Sequence, residues 1–217
     1  VKKKIKVQAV DLSKNWAKIY RPNNLANFIL GTKAETLERL SGNITRAKVL
    51  PQVKFSVGEW YKSKKLVLSR IINELDSSSL VVRSSSLSED SFNASNAGAF
   101  LSLLEVPKLK KNISNAVEEV IDSYKKTSKS SFEDNQVLVQ PFLKDIKFSG
   151  VVLTADQTYK APYLIINYER ESGTEGVTSG TGKNLRTHII LRSTESTKNK
   201  FLNKLIHLSN ELSKLLA

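Results

Sequence analysis

The sequence predicts an α+β protein, and three observations support this fold class. Apolar residues recur at helical spacing over 34–41, 57–75, 109–128 and 198–217. Runs rich in β-branched and aromatic residues lie between these segments and dominate the second half of the chain. A polar break at 127–135 separates a region in which helices and strands mix from a region in which short strands follow one another.

The composition is that of a folded domain. Of the 217 residues, 40% are hydrophobic, which is enough to build a core and argues against disorder. No window of about 18 apolar residues is present, so we expect no membrane partner. Cysteine is absent, which excludes disulfides and thiolate metal sites. Methionine is absent as well, which predicts either a piece of a longer protein or a sequence from which modified residues were dropped.

The net charge of +13 is strongly basic. A basic patch can bind nucleic acid, but the lysines here are scattered along helices and loops, without the interleaved aromatic residues of a stacking surface. We therefore expect no nucleic-acid partner. A positive cleft would equally attract a small ligand that carries phosphate groups, and an acidic remainder of a longer chain could also balance the charge.

The first elements follow from local patterns. Residues 1–10 alternate between apolar and polar side chains, as a strand does. The helix over 34–41 begins just after Thr32, which is a suitable N-cap. The run 48–57 contains a proline, which predicts an edge strand or a junction between loop and strand, because proline cannot donate a hydrogen bond to the ladder.

The next elements complete the first region. An amphipathic helix over 57–75 leads to "SLVVRSS" at 79–85, which predicts a buried strand. A further helix over 109–128 carries one apolar face. The members of that face are Ile113, Val117, Val120, Ile121 and Tyr124.

The polar break predicts two lobes. The first lobe spans 1–126 and the linker spans 127–135. The second lobe, 136–217, is β-rich: four strand-like runs beginning with "QVLVQPFL" predict a meander, and an amphipathic helix closes the chain.

Several classes of catalytic and metal site are not indicated. His188 lies in a strand-like run and His207 on the last helix, without partners at ligand spacing, so we expect structural roles for both. The chain has no Gly-x-Ser-x-Gly elbow, no Gly-x4-Gly-Lys-Ser/Thr loop and no Gly-x-Gly-x-x-Gly fingerprint. The sequence identifies no metal ligand.

Two basic residues are placed to bind phosphate. Lys33 lies at the start of a helix, where the helix N-terminus also attracts anions, although a lysine there is usually solvated. Arg83 ends a buried apolar run, and its forked guanidinium matches phosphate oxygens. Alternatively, Arg83 forms a salt bridge with Glu89 or Asp90 instead of binding phosphate.

A flexible loop rich in serine and small residues is predicted after Arg83. Its "SNAGAF" segment, centred on Gly98, could close over a ligand and offer backbone N–H groups to phosphates. The alternative is an ordinary surface turn. The arginine near the end of a strand and the flexible loop that follows it together favour a polyphosphate ligand.

Three stretches resemble motifs of the phosphoenolpyruvate synthase and pyruvate phosphate dikinase family. "VVRSSSLSEDSFNASNAGAF" is similar to its Val-Arg-Ser-Ser-x-x-x-Glu-Asp-…-Ser-x-Ala-Gly motif, and "LGTKAETLERL" to its Gly-x-Lys-x-x-x-Leu motif. "VLVQPFLKDIKFSGVVLTAD" resembles its Val-x-Val-Gln-x-Met-Val-…-Gly-Val-x-Phe-Thr-x-Asp stretch. Order and spacing agree for all three, over about residues 29–160.

The resemblance implies an ATP-grasp nucleotide-binding domain with two lobes, and ATP and Mg²⁺ as cofactors. It implies that Lys33 and Arg83 hold the ATP phosphates and that the loop from Ser95 to Ser102 closes over them. The loop residues carried over are Ser95, Asn96, Ala97, Gly98 and Ser102. It also implies that a segment lies along the adenine, mainly through its backbone: Val139, Gln140, Pro141, Phe142 and Leu143.

The sequence departs from the family at two places. The family's closing segments, which supply carboxylates for magnesium, have no counterpart here, so the resemblance implies a C-terminally truncated domain without catalytic residues of its own. The stretch "YLIINYERESGTEGVTSGTG" lacks the usual Gly-Leu-Gly-Glu motif and is similar to a branch that includes glutamine kinases linked to capsule polysaccharide.

The function implied is that of a dikinase-type phosphotransferase in the cytoplasm. ATP phosphorylates a histidine on a mobile domain absent from this chain, and the histidine passes the phosphoryl group to pyruvate. One alternative acceptor is the amide of L-glutamine. Another alternative is a non-catalytic nucleotide-binding module.

Overall fold

The structure is a computed structural model that confirms the α+β class. It describes residues 31–86, the backbone of 90–91 and 94–95, and then 101–127, 132–156, 158–159, 161–170 and 185–216. Its helices pack on antiparallel sheets. The strand predicted at 1–10 lies outside the described residues.

The elements follow the order predicted from hydrophobic periodicity. The helices are α1 (Lys33–Leu40), α2 (Val57–Glu74), α3 (Lys110–Thr127) and α4 (Lys200–Leu215), with a short 3₁₀ turn at Phe132–Asp134. The strands are β1 (Val53–Ser56), β2 (Ser79–Ser85), β3 (Asp90–Ser91), β4 (Ala94–Ser95), β5 (Ser102–Pro107), β6 (Gln136–Pro141), β7 (Phe148–Leu153), β8 (Tyr163–Arg170) and β9 (Arg186–Leu191).

The first sheet has four antiparallel strands in the order β1-β6-β2-β5. Its first strand, β1, lies at an edge, as the preceding proline predicted. The prediction that "QVLVQPFL" begins the meander is wrong, because Val139 of β6 pairs with Val53 of β1 and Val82 of β2. Because β6 has neighbours on both sides, side chains on both of its faces are buried, including the three consecutive apolar residues Val137, Leu138 and Val139.

Helices α2 and α3 cover one face of this sheet and form the main core. The core joins alternate residues of the strands to the apolar faces of both helices, and Phe55 stacks on Trp60 with ring centroids 5.6 Å apart. The predicted apolar face of α3 lies entirely in this core. Each large side chain buried in this way contributes about 1.5–3 kcal/mol.

The second sheet is a three-stranded meander in the order β7-β8-β9. Helix α4 covers one face, where Leu202 and Ile206 pack against Leu164 and Ile166 of β8. The opposite face carries alternate residues of the same strands, and several of its apolar side chains are exposed. They include Val151, Tyr163, Ile189 and Leu191.

The carboxylate of Glu211 on α4 is hydrogen-bonded to the loop that follows α1. Glu211 accepts hydrogen bonds from the backbone N–H groups of Thr45 (2.8 Å) and Arg46 (3.0 Å) and from the Thr45 hydroxyl (2.6 Å). The hydroxyl bond is the main cause of a lowered pKa at Glu211. The elements around the first sheet are therefore joined to those of the second by side-chain contacts as well as by the chain.

None of the described helices combines the length and hydropathy that a membrane span requires. The division of the chain into two lobes at 127–135 stays a prediction. Strand β6 shares its sheet with β1 and β2, so any lobe boundary that respects the sheets falls after Pro141.

Candidate functional site

Arg83 lies in the middle of the first sheet, on the face opposite α2 and α3. It pairs with Ser102 of β5 on one side and Leu138 of β6 on the other, so the three side chains share that face. The Arg83 Nε is buried and has no hydrogen-bond partner within the described part of the chain. A buried donor without an acceptor costs about 1–3 kcal/mol, so this N–H is a candidate hydrogen-bond donor to a ligand.

The alternative salt bridge of Arg83 falls on residues that the structure does not describe in full. Glu89 is outside the described residues, and only the backbone of Asp90 is inside them. The contact predicted with either carboxylate stays a prediction.

Ser84 and Ser85 lie in the buried strand predicted at 79–85, so the polar loop predicted to follow Arg83 does not begin directly after it. Ser84, Ser85 and Ser86 are all buried. The hydroxyl of Ser86 donates to Asn135 Oδ1 at 2.6 Å, and the Ser85 N–H donates to the Tyr124 hydroxyl at 3.0 Å. These bonds fix the end of β2, so Arg83 is held by a rigid strand rather than by a flexible rim.

Replacing Tyr124 with phenylalanine is expected to lower the free energy of unfolding by about 1–3 kcal/mol. The Tyr124 hydroxyl accepts from the Ser85 N–H and donates to the Gln136 carbonyl, and both backbone groups lose that partner. Urea denaturation measures the change. The control is Tyr61→Phe, because Tyr61 is 61% exposed; its change should stay within about 0.5 kcal/mol. Equal losses in the two variants would contradict the buried network.

Helix α1 lies on the same face as Arg83 and is fixed there by polar side chains. Thr32 is its N-cap, as predicted, and forms a capping box with Glu35. The Thr32 hydroxyl donates to Gln136 Oε1 of β6 at 2.8 Å, and the Gln136 amide donates to Glu35 Oε1 at 2.9 Å. The Ala34 N–H donates to the Ser85 hydroxyl of β2 at 3.0 Å.

These bonds change the reason for expecting an anion at Lys33. The first-turn N–H groups of Ala34 and Glu35 are already bound, by Ser85 Oγ and Thr32 Oγ1 respectively. They cannot also hold a phosphate, so the argument from the helix N-terminus is wrong for these amides. The remaining support for a phosphate near Lys33 is its position, because its helix is anchored to the face that carries Arg83.

The Glu35 carboxyl is held in its charged form. Burial, the largest single influence, favours the neutral acid, but the hydrogen bonds from Thr32 and Gln136 oppose it. The positive charges of Lys54 and Arg39 add to these bonds, and the net result is a pKa below the usual 4.5.

The Glu35 carboxylate therefore makes stability pH-dependent. Its contribution is present above the ordinary carboxyl pKa and is lost as the pH falls through the lower pKa of the folded state. We expect Glu35→Gln to be less stable than the parent at about pH 7 and to lose less further stability on going to about pH 3.5. Denaturation at both pH values measures this, and an equally steep acid loss in the variant would contradict it.

The predicted adenine segment lies at the end of β6. Gln140 is buried beside Val81, on the Arg83 face, whereas the Val139 side chain points into the core under α2 and α3. Val139 pairs with the first residue of β1, so the backbone from Gln140 onward extends past that edge strand. Only the backbone of Val139 could therefore face a base.

The side chains that follow β6 are apolar and accessible. The Phe142 N–H donates to the Ser79 carbonyl at 3.0 Å, which holds the segment against β2. Phe142 is half-buried and Leu143 is exposed. Such a surface suits the flat apolar face of a base.

The predicted phosphate loop is described only at its ends. Ser95 forms part of β4, of which the backbone is described, and Ser102 begins β5 opposite Arg83. Asn96, Ala97 and Gly98 lie outside the described residues.

Sequence reasoning missed four residues of this face: Glu35, Ser85, Gln136 and Leu138. Three of them make the bonds that anchor α1, and Leu138 is fully buried next to Arg83. Strand alternation could have placed Leu138 and Gln136 on one face of β6. Their proximity to Arg83 depends on the register between β2 and β6, which alternation does not give.

The histidines are placed as predicted. His188 lies in β9 and stacks on Tyr168, with ring centroids 5.8 Å apart, and His207 lies on α4. Among the described residues, no group of three or more His, Cys, Asp or Glu side chains could hold a metal ion.

Comparison with known families gives one finding. The protein-family model described as pyruvate phosphate dikinase, AMP/ATP-binding domain, matches residues 30–169 of this chain. The match covers more than half of the 217 residues. The matched range includes Lys33, Arg83 and the end of β6. No curated protein matches the chain.

Proposed function

The chain belongs to the pyruvate phosphate dikinase AMP/ATP-binding domain family, and on that premise we propose that it binds ATP against the Arg83 face of the first sheet. The observation that carries the proposal is the buried Arg83 Nε without a partner in the described chain. A phosphate oxygen satisfies this donor, and a guanidinium can bind two such oxygens at once.

Two further features support phosphate binding at this face. Ser102 lies directly opposite Arg83 and is exposed, so its hydroxyl is accessible to a ligand. Lys33 starts a helix that is anchored to the same face. We propose that both residues contact phosphates together with Arg83, and that Ser95, Asn96, Ala97 and Gly98 close over them.

The adenine lies, in this proposal, along Val139, Gln140, Pro141, Phe142 and Leu143. The support is that this backbone extends past β1 and ends in accessible apolar side chains. The second sheet offers a complementary surface, since Ile189 is 67% and Leu191 is 47% exposed on the face that α4 leaves open. We propose a two-lobed ATP-grasp arrangement in which this open face covers the base. Because β6 belongs to the first sheet, we place the division between Pro141 and Phe148 rather than at the 127–135 segment indicated by the sequence.

Magnesium enters the proposal as the partner of the ATP phosphates. Mg²⁺ commonly keeps several waters and takes one or two carboxylates plus substrate phosphates. The described residues offer no cluster of three acidic or histidine ligands. The residues of this chain are therefore proposed to bind and orient the triphosphate, and we assign no carboxylate to the metal.

In the whole protein we propose a dikinase-type kinase that works in the cytoplasm. ATP phosphorylates a histidine on a mobile domain, and the histidine transfers the phosphoryl group to pyruvate. An amide acceptor such as L-glutamine is the second candidate, favoured by the departure from the family motif in the stretch that begins at Tyr163, the first residue of β8. A non-catalytic nucleotide-binding module is the third.

Calorimetry with a series of ligands that carry increasing numbers of phosphates tests nucleotide binding. We expect affinity to rise from adenosine through AMP and ADP to Mg-ATP, because each phosphate adds a charge-assisted contact to the Arg83 face. Equal affinities along the series would contradict phosphate binding by this face, and absence of any binding would contradict the proposed function.

Phosphoryl transfer is tested on the full-length protein with γ- and β-labelled ATP. Acid-labile label on the protein, discharged by pyruvate or by L-glutamine, supports the kinase and names the acceptor. Nucleotide binding without label transfer supports the non-catalytic module instead.

A further inference from the structure

We propose that Gln136 is a positioning residue: it locks the start of α1, and with it Lys33, relative to Arg83. This inference rests on the proposed function, because it assumes that Lys33 and Arg83 bind the same triphosphate. Gln136 touches no ligand in this account and acts only through the backbone that carries Lys33.

Gln136 closes a ring of hydrogen bonds at the beginning of α1. Its Oε1 accepts from the Thr32 hydroxyl at 2.8 Å, and its Nε2 donates to Glu35 Oε1 at 2.9 Å. The other Glu35 oxygen accepts from the Thr32 N–H at 2.9 Å, and the Thr32 hydroxyl accepts from the Glu35 N–H at 3.3 Å. A single side chain of β6 thus holds both members of the capping box.

The tethers lie on both sides of Lys33. Thr32, just before it, is bound to Gln136 of β6, and Ala34, just after it, donates to Ser85 of β2. The Ala34 carbonyl accepts from the Gln52 amide at 2.8 Å, just ahead of β1. The backbone of Lys33 is therefore fixed to three neighbouring segments of one sheet.

The same sheet fixes Arg83. Ser85 pairs with Gln136 across the β2–β6 ladder, and Arg83 lies two residues before Ser85 on the same strand, so all three side chains share one face. The distance between the Lys33 and Arg83 backbones is consequently set within a rigid sheet and its capping ring. Pre-organisation of this kind raises affinity because less freedom is lost on binding.

The chemistry of glutamine suits this position. The ring needs one acceptor for Thr32 and one donor for Glu35, and an amide supplies both. A glutamate at 136 would place a second carboxylate beside Glu35 Oε1 and remove the donor. A methionine would keep the volume and remove both bonds.

A double-mutant cycle tests the inference on the 217-residue chain. Mg-ATP affinity is measured for the parent, Gln136→Met, Lys33→Ala and the double variant, with adenosine as the control ligand and thermal unfolding as the check on folding. We expect Gln136→Met to weaken Mg-ATP binding about tenfold in the parent background and not in the Lys33→Ala background. Adenosine affinity should be unchanged throughout.

The outcomes separate this inference from the proposed function. An equal loss in both backgrounds, a loss that extends to adenosine, or no loss at all overturns the positioning role. If the parent fails to bind Mg-ATP, or Lys33→Ala has no effect, the proposed function fails at that point and the inference with it. If Gln136→Met does not fold, Glu35→Gln takes its place in the cycle, because it perturbs the same ring from α1.

Discussion

The Arg83→Ala variant is expected to bind Mg-ATP about 100-fold more weakly than the parent while keeping its fold. The buried Nε of Arg83 has no acceptor among the described residues, so the loss of this N–H breaks no hydrogen bond within the described part of the chain. In the complex, the same substitution deletes a charge-assisted contact to phosphate. Calorimetry gives the affinity, and thermal unfolding confirms the fold.

Two variants control for charge and for geometry. Arg70→Ala removes an arginine that contacts Glu59 and Glu74 on its own helix and the Lys54 carbonyl of β1, so Mg-ATP affinity should stay within about twofold of the parent's. Arg83→Lys keeps the charge but not the fork, and should fall between parent and alanine variant. Equal affinities for Arg83→Ala and the parent would mean that Arg83 has a structural role, and the phosphate assignment would fail.

The Gly150→Ala variant is expected to lose about 2–3 kcal/mol of unfolding free energy. A Cβ atom at Gly150 would lie 2.5 Å from the backbone oxygen of Asn167 and 2.9 Å from Cβ of Tyr168. Both atoms belong to β8, the strand paired with β7, so the methyl group would push the two strands apart. Urea denaturation measures the loss.

Gly58→Ala is the matched control for Gly150→Ala. Gly58 lies in the first turn of α2, and an added Cβ would have its nearest neighbour at an ordinary 3.6 Å. Alanine favours the helix over glycine by up to about 1 kcal/mol, so this variant should be as stable as the parent or more so. A Gly150→Ala variant as stable as Gly58→Ala would contradict the close approach of the strands.

The sequence predicted elements well where the signal is local. The cap at Thr32, the end of α2 near Leu75 and the buried strand at Ser79–Ser85 all follow from patterns within one turn or one strand. The assignment of Gln136–Pro141 to the meander failed, because strand partners are chosen by packing over long sequence distances. Nothing in six residues says that β6 inserts between β1 and β2.

The residues of the candidate site show the same contrast between local and long-range signals. Arg83 was predicted from its place at the end of an apolar run, and the structure adds that its buried Nε lacks a partner among the described residues. The ring formed by Thr32, Glu35 and Gln136 was not predictable, since Gln136 lies 101 residues from Glu35 in sequence. The two meet because the start of α1 is bonded to neighbouring strands, through Thr32 to Gln136 of β6 and through Ala34 to Ser85 of β2.

Chemical-shift mapping with Mg-ATP on the ¹⁵N-labelled chain is the sharpest test of nucleotide binding at the face that carries Arg83. We expect the amide signals of Lys33, Arg83, Gln140 and Leu143 to shift saturably with one affinity. These residues are far apart in sequence but are assigned to one face, so a joint response supports a single nucleotide site there. Saturable shifts confined to the outer surfaces of α2 and α3, with these four signals unmoved, would contradict the account.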